Sequence, residues 1–493
     1  MKPGNLLTVH VWAALFCLQA CAPAWSMDLL QSYEAAVAQD ATLQASRAGT
    51  DARRERLPQT DAQMLPNLSL GVSRTHNELE STVPNFLGKP VTSNTEYYSS
   101  NQTLTLRQTL FNRYRVADQQ QAKAQVEDAE AMYERDLQNL AVRVSGAYFE
   151  ALMADDQMSL VLAQKAAVTV QLDAARKRFA TGAGTRTDID EAQAALDLNA
   201  AQELEAHQNM SFTRRQLQAL VDQPLGELSR LDAKRMKLLS LSLDGMPEWT
   251  ERAERNSPEM RSLKAQIEAA RQEVEKAKAG HYPTLEAIAQ LSRSESDSVT
   301  NINSRYNNSS VGLQLSVPIY AGGYVNSTVR QALAEQTRAE FALEALRRDL
   351  GVRVHREFRG VTEGVLKVRA LEQAVRSSEQ LALSNRRSFE AGSRTLNDTL
   401  NAEQQRVSAL RDLALARYTH LLSRVRLQAL AGGTTVNVME EINGWLVPRA
   451  MSNLGEPGKG LPVVAKSQWA AATNYGVHMS ASTAPKSGAI PGD

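Results

Sequence analysis

The chain repeats its own sequence, and that restricts the fold more than any single motif does. The stretch GAGTRTDIDEAQAAL, Gly182 to Leu196, returns as GSRTLNDTLNAEQQ from Gly392, so Phe179, Gly182 and Asp188 correspond to Phe389, Gly392 and Asp398. MLPNLSLGVSR from Met64 returns as HYPTLEAIAQLSR from His281, and LTLRQTLFNRYRVADQQQA from Leu104 returns as the stretch from Val311 to Leu333. A chain of 493 residues has room for several unrelated cores, but a tandem duplication points to one supersecondary plan used two times. We expect a leader at 1–26, a first repeat at 27–246, a second at 247–432 and a C-terminal extension at 433–493. The extension, rich in Gly, Pro, Ser and Ala from about Pro448, reads as largely disordered. Each repeat runs helix, strand, loop, strand, long helix, turn, shorter helix.

The strands declare themselves by alternation. Leu68, Leu70 and Val72 face one way, as do Leu104, Leu106 and Leu110 on the next strand. The second copy repeats this with Leu285, Ala287, Ala289 and Leu291, then with Val311, Leu313, Leu315 and Val317. Between them stand Ser69, Gly71, Thr103, Thr105, Gln314 and Ser316. An apolar outer face against a polar inner face over about ten residues is the pattern of a membrane-spanning β-strand. The segments between paired strands, Thr75 to Tyr98 and Ser294 to Asn308, are long and polar and read as extracellular loops.

The helices are long. From Tyr324 to about Glu390 there is no proline, and Leu343, Leu346, Leu350, Val354, Phe358, Val361, Val365, Val368, Leu371 and Val375 step by threes and fours, a coiled-coil spacing. At 1.5 Å per residue that segment spans about 100 Å, and its counterpart from about Tyr114 to Phe179 nearly matches it. Four strands cannot close a barrel, and an open sheet edge in lipid leaves backbone groups unpaired at several kcal/mol each. The chain must therefore oligomerise if its strands span a membrane. Two copies supply ~8 strands and no aqueous pore, whereas three supply ~12 and room for one; helices with Ala and polar residues on several faces suit the wall of a wet lumen.

Lys2, an apolar run from Leu6 to Ala20 and small residues at Ala24 and Ser26 make an export leader cut before Met27. LQAC, Leu18 to Cys21, keeps open a lipoprotein reading with Cys21 acylated. Beyond the leader no run approaches the ~18 apolar residues of a membrane helix. Formal charge balances, which gives no electrostatic ground for a nucleic-acid partner. Strand, Gly322, Gly323 and helix resemble in outline a phosphate loop, but neither G-x-x-x-x-G-K-[ST] nor G-x-G-x-x-G is present, and the first copy has Asn112 and Arg113 there. The two glycines serve instead to swing the chain from strand into helix. The seven histidines are scattered singly and no G-x-S-x-G occurs, so we expect no enzyme, no catalytic residue, no metal and no cofactor.

Taken together, SVPIYAGGYVNS, RQTLF, GHYPTLE, the paired GTRTD and GSRTLND turns and the duplicated layout from roughly Met27 to Gly432 resemble the TolC family of outer-membrane channel-tunnels. The resemblance implies a mainly α-helical fold with transmembrane β: a homotrimer in which four strands per chain build a shared 12-stranded barrel in outer-membrane lipid and the helices build a periplasmic tunnel. It implies a place in the outer membrane of a Gram-negative bacterium, with a periplasmic adaptor (a membrane fusion protein) and an inner-membrane ABC transporter or proton-driven pump as partners. The GSRTLNDTLNAEQQ turn looks more like members serving type I export of a protein such as a toxin; export of small molecules by an efflux pump is the alternative, and a periplasmic coiled-coil adaptor or structural protein a more remote one.

The same resemblance puts a ring of carboxylates at the tunnel entrance on Asp398 and Asn401, of which only the first is acidic here. It puts the links that close the entrance on Asp188, Arg394 and Phe389, where Phe389 lacks the hydroxyl of the family's tyrosine. Read from the residues alone, Thr185 to Asp188 and Thr395 to Asp398 are also capping boxes, so both aspartates are equally suited to holding helix N-termini. An exposed Arg394 to Asp188 pair is worth only ~0 to 1 kcal/mol.

Overall fold

A computed structural model describes residues 26–238, 245–296, 303–433 and 435–448. The expected leader, with Cys17, Cys21 and Ala24, and the tail from 449 lie outside the described residues. The first repeat opens with three helices, α1 (Leu29–Gln39), α2 (Ala41–Arg54) and α3 (Arg56–Ala62), where the sequence suggested one. The break comes at Asp40, which is extended and turns its carboxylate back onto the Leu43 N–H, ending one helix while capping the next. Strands β1 (Asn67–Pro84) and β2 (Pro90–Phe111) follow, then α4 (Arg113–Ala180), α5 (Arg186–Val221) and a short β3 (Arg230–Leu231). The second repeat runs α6 (Met246–Asn256), α7 (Pro258–Ala279), β4 (Thr284–Glu295), β5 (Arg305–Ser316), α8 (Tyr324–Glu390) and α9 (Leu396–Leu430), with α10 (Thr435–Asn443) and β6 (Leu446–Val447) after it.

The two long helices have 68 and 67 residues, each about 100 Å at 1.5 Å per residue. No described helix is long and apolar enough to cross a membrane. Their stability comes from packing along a seam. On α8, Leu350, Val354, Phe358, Val361, Val365, Val368 and Val375 are buried, with Leu343, Leu346 and Leu371 half-buried, so the coiled-coil positions form the contact stripe. Where α8 meets α9 the approach is close enough to need glycine. A Cβ on Gly360 would lie 2.5 Å from Ser423 Oγ, and one on Gly364 would lie 3.0 Å from His420 Nδ1.

The main core gathers both repeats: Leu29 and Ala36 from α1, Tyr148 and Leu152 from α4, Leu217 from α5 and Leu421 from α9. Tyr148 Oη donates to the carbonyls of Met27 (3.1 Å) and Ser229 (3.0 Å), fastening the start of the described chain. Residues 435–447, the head of the expected C-terminal extension, pack onto this core. Met439 and Ile442 are fully buried and Trp445 and Leu446 nearly so, and β6 pairs with β3 through Leu231 and Leu446. The apolar spacing of Val436, Met439, Ile442 and Trp445 carries this segment, and the Gly- and Pro-rich residues beyond it hide the pattern.

The four long strands form one antiparallel sheet in the order β1-β2-β4-β5, with β1 and β5 at its edges. The register sets Leu68 opposite Leu106 and Leu70 opposite Leu104, then Leu104 opposite Leu291 and Leu285 opposite Leu315. All these leucines therefore share a face. A bulge between Thr109 and Phe111 brings Phe111 opposite Leu285, keeping an aromatic ring on that face where the strand leaves the sheet. The segment from Thr75 to Tyr98, expected to be a loop, is strand for most of its length. β1 and β2 stay paired out to Pro84 and Pro90, and only the Asn85 turn joins them. Thr, Tyr, Val and Ser suit a strand on either face, but here both faces are partly polar, so alternation gave no sign of it. In the second expected loop, β4 runs on to Glu295 and β5 begins as early as Arg305, while residues 297–302 lie outside the described residues.

Candidate functional site

Two regions carry the residues expected to matter: the sheet with its strand-to-helix joints, and the two helical turns at the far ends of α4 and α8. On the sheet, the outer face holds Leu68, Leu70 and Val72 of β1 and Val311, Leu313 and Leu315 of β5, each well over half exposed. The opposite face carries Ser69, Thr105, Gln290 and Ser310 on one rung and Gly71, Thr103, Ser292 and Asn308 on another. Near the helix end of this polar face, Arg107 and Arg115 approach Glu286 at 3.6 and 3.9 Å. Apolar side chains exposed along a whole sheet face are costly in water and favourable in hydrocarbon. The sheet is built to stand between lipid and an aqueous space.

The joints between strand and helix differ in the two repeats. Asn112 caps α4 by accepting from the Arg115 N–H at 3.3 Å. Gly323 is the N-cap residue of α8 with no side chain to offer, and both Gly322 and Gly323 have left-handed backbones, φ 58° and 82°, a region glycine enters without strain. The glycines make a turn, and no ring of backbone N–H groups around an anion is needed to explain them.

At the helical turns, Thr185 and Asp188 form a reciprocal capping box: the Asp188 N–H donates to Thr185 Oγ1 (3.2 Å) and the Thr185 N–H to the Asp188 carboxylate (2.9 Å). Thr395 and Asp398 repeat it at 3.2 and 3.1 Å, and Thr395 Oγ1 also reaches the Asp398 carboxylate at 2.9 Å. Hydrogen bonds from the Thr395 backbone and hydroxyl, aided by the Arg394 charge, hold the Asp398 carboxyl below the usual aspartate range. The Asp398 side chain remains 38 % exposed, so capping leaves the charge open to its surroundings. Asn401 lies one turn further along α9, exposed, with its amide on Asn397.

The expected links across the two turns fall differently. Arg394 pairs with Asp398 at 3.7 Å on its own helix, while Asp188 is engaged with Thr185. Within this chain the turns are joined instead by Phe389, whose ring lies 4.5 Å beneath the Arg178 guanidinium of the first repeat. Around it Leu172, Ala175, Ile189, Ala192, Leu396 and Leu400 make a small core shared by both turns. Arg178 is the residue that sequence reasoning missed. Only the pairing of a long cation in one copy with an aromatic in the other could have pointed to it, and sequence spacing does not reveal contacts between copies.

The comparisons with known proteins agree with this geometry. The family model described as outer membrane efflux protein matches residues 32–222 and 249–433. The alkaline protease secretion protein AprF of Pseudomonas aeruginosa is 33 % identical over 434 residues, covering 88 % of this chain and 89 % of that one. The proteases secretion protein PrtF of Dickeya chrysanthemi is 30 % identical, covering 86 % and 92 %. The outer membrane protein TolC of Vibrio cholerae is 28 % identical, covering 90 % and 98 %. Among solved structures, the outer-membrane channel OprN superposes with a TM-score of 0.70 at 19 % identity, over 83 % of this chain and 90 % of that one. VceC of Vibrio cholerae gives 0.69 at 19 % identity, over 83 % and 96 %. With two copies of the family's pattern, a lipid-compatible sheet and the same long helices, the chain belongs to the outer membrane efflux protein family of TolC-like outer-membrane channels.

Proposed function

We propose that this protein is the outer-membrane exit duct of a tripartite export machine, and that its cargo is a secreted protein delivered by an ABC transporter through a periplasmic adaptor. The observation that carries the reading is the similarity, over nearly the whole chain, to two proteins named for protease secretion. Three copies joined edge to edge, β5 of one to β1 of the next, would satisfy both open sheet edges at once and close ~12 strands around an aqueous pore. In that assembly the helical turns meet at the periplasmic end. Asp398 and Asn401 then ring the entrance, and Asp188, Arg394 and Phe389 lie where neighbouring turns must separate for it to open.

Gentle fractionation tests the assembly: the protein is expected in the outer membrane, extracted by detergent as a trimer. Recovery as a soluble monomer without detergent would sink the reading. Deleting the gene tests the cargo. Loss of an extracellular protein, restored by the wild-type gene, is the expected outcome. Unchanged secretion combined with heightened sensitivity to small toxic compounds would point to the efflux alternative, for which the solved relatives supply the fold alone.

A further inference from the structure

The hairpin of β1 and β2 stands far above the rest of the sheet. β4 ends at Glu295 and β5 begins at Arg305, on the rung that carries Arg74 and Ser100. From Thr75 opposite Ser99 to Pro84 opposite Pro90 the first hairpin climbs ten further rungs on which, among the described residues, only its own two strands pair, about 34 Å at ~3.4 Å per residue. The Arg74 rung, with Glu295 and Arg305 in an ion pair of 2.5 Å on the same face, marks the end of the apolar belt.

Above that rung the charged side chains of the two strands all lie on one face. The face that is leucine and valine in the belt continues as Arg74, His76, Glu78 and Glu80, opposite Tyr98, Glu96 and Asn94. Tyr98 is clasped there by the Arg74 guanidinium (5.0 Å) and the His76 ring (4.7 Å). The face that is serine, glycine and threonine in the belt continues without charge, with Leu79, Val83, Val91 and Tyr97 among Thr75, Asn77, Ser81, Ser93, Thr95 and Ser99. At the tip, Asn85 Oδ1 accepts from the Leu87 and Lys89 N–H groups (3.0 and 3.1 Å). That turn pushes Phe86 and Leu87 outward, 94 % and 67 % exposed.

We propose that the three hairpins of an assembled trimer lean over the outer mouth and pack their tips and inner faces together, Phe86 and Leu87 of each copy against those of its neighbours, as an extracellular cap. This rests on the trimeric reading above. A twelve-stranded barrel has a backbone radius of roughly 12 Å, which the hairpin exceeds more than two-fold, so the tips reach the three-fold axis. The face polarity selects the occupant. A hairpin leaning outward would press Glu78, Glu80 and Glu96 toward a membrane surface and leave Leu79, Val83 and Val91 in water. Leaning inward keeps the charges wet and turns the uncharged face, with Leu79, Val83 and Val91, toward the other copies.

Cysteine chemistry tests this cleanly, because Cys17 and Cys21 are the only cysteines in the sequence and both lie in the expected leader. In detergent-extracted protein first shown to be trimeric by native mass spectrometry, Phe86→Cys is expected to cross-link protomers under a mild oxidant, and His76→Cys on the outer face is not. A second readout does not depend on a disulfide. With Thr105→Cys on the inner face of the sheet as reporter, replacing both Phe86 and Leu87 by Ser should raise its labelling by a bulky maleimide added outside intact cells several-fold. A verified trimer in which Phe86→Cys stays uncrosslinked and labelling is unchanged overturns the cap and leaves the exit-duct reading standing. Quenching of a fluorophore at Phe86→Cys by brominated lipid overturns it in favour of a membrane-facing tip. Absence of a trimer removes both readings together.

Discussion

The two helical turns, Gly182 to Asp188 and Gly392 to Asp398, bend the chain with the same atoms, yet they sit in different surroundings. Each opens on a glycine with positive φ, 75° and 77°, and each closes on a Thr/Asp capping box. What differs is the position after each threonine and the position before it. Leu396 is buried at the shared core of the turns, while its counterpart Arg186 is exposed and paired only with Asp190 at 3.3 Å. Arg394 corresponds to Gly184, where a Cβ would meet Arg178 Cβ at 3.0 Å and the Phe179 nitrogen at 3.1 Å. The bare glycine leaves room for Arg178 to lie across Phe389. A duplicated unit has thus kept its backbone mechanism in both copies while dividing the labour: the second turn supplies the apolar plug and the ring, and the first supplies the cation that covers it.

The division predicts its largest asymmetry at the plug. Leu396→Ala should destabilise the turn by about 2–5 kcal/mol, the usual cost of truncating a buried leucine, and Arg186→Ala by less than about 0.5 kcal/mol, as for an exposed residue. Local opening measured by amide hydrogen exchange at the tips checks both, and equal effects would show that the two turns are interchangeable.

A second asymmetry lies further along the same helices. His420 of α9 is fully buried, packed against Gly364 of α8. Burial first, and then the Arg424 charge, lower its pKa from 6.5 to about 4. The unfolded or opened segment therefore takes up a proton before the packed one does. The seam of α8 and α9 keeps its full stability above about pH 6.5 and loses it as pH falls toward 4, by on the order of 3 kcal/mol in all. The corresponding residue of α5 is Met210, which does not titrate, so the seam of α4 and α5 should lack this step. Hydrogen exchange between pH 4 and 7 is expected to show α9 loosening alone, and His420→Met should remove the difference. Loosening of both hairpins in parallel would contradict it.

How far the sequence reveals all this depends on whether the deciding contact is local. The stripe from Leu350 to Val375, the Gly322–Gly323 turn and both capping boxes are set by residues within a few positions of one another, and spacing alone locates them. The Arg178 to Phe389 contact, the burial of Leu396 and the docking of Met439 and Ile442 into the main core join distant parts of the chain. No periodicity encodes those. The β1–β2 overhang escaped for another reason: once a strand leaves the membrane, the demand for one apolar face lapses, and with it the alternation that marks a strand. Leu110 and Phe111 show a milder form, where a single bulge changes which residue of β2 faces Leu285.

The caps should behave alike in the two turns, which is the other half of the comparison. Thr185→Ala and Thr395→Ala should each cost about 1 kcal/mol of local stability, measured by the same exchange experiment at the first amides of α5 and α9. A marked inequality would mean that one box carries a second role.

The smallest change in stability, and the most telling for transport, is expected at Asp398. Replacing it by Asn keeps an oxygen that can accept from the Thr395 N–H, so the cap survives, while the charge and its pairing with Arg394 vanish; exposed pairs of this kind contribute only ~0 to 1 kcal/mol. Three like charges around a narrow aqueous passage make a stronger field than the same charges on an open surface. If Asp398 lines the entrance, Asp398→Asn lowers cation selectivity and weakens block by multivalent cations in planar-bilayer recordings, at nearly unchanged turn stability. Arg394→Ala has the opposite sign, because removing the cation 3.7 Å away leaves the carboxylate field uncompensated and strengthens cation preference. The equivalent Asp188→Asn, with no arginine four residues before it, should alter the ease of opening more than selectivity. Identical selectivity in wild type, Asp398→Asn and Arg394→Ala would confine Asp398 to its capping role and make the two turns equivalent at the pore as well as in their backbone.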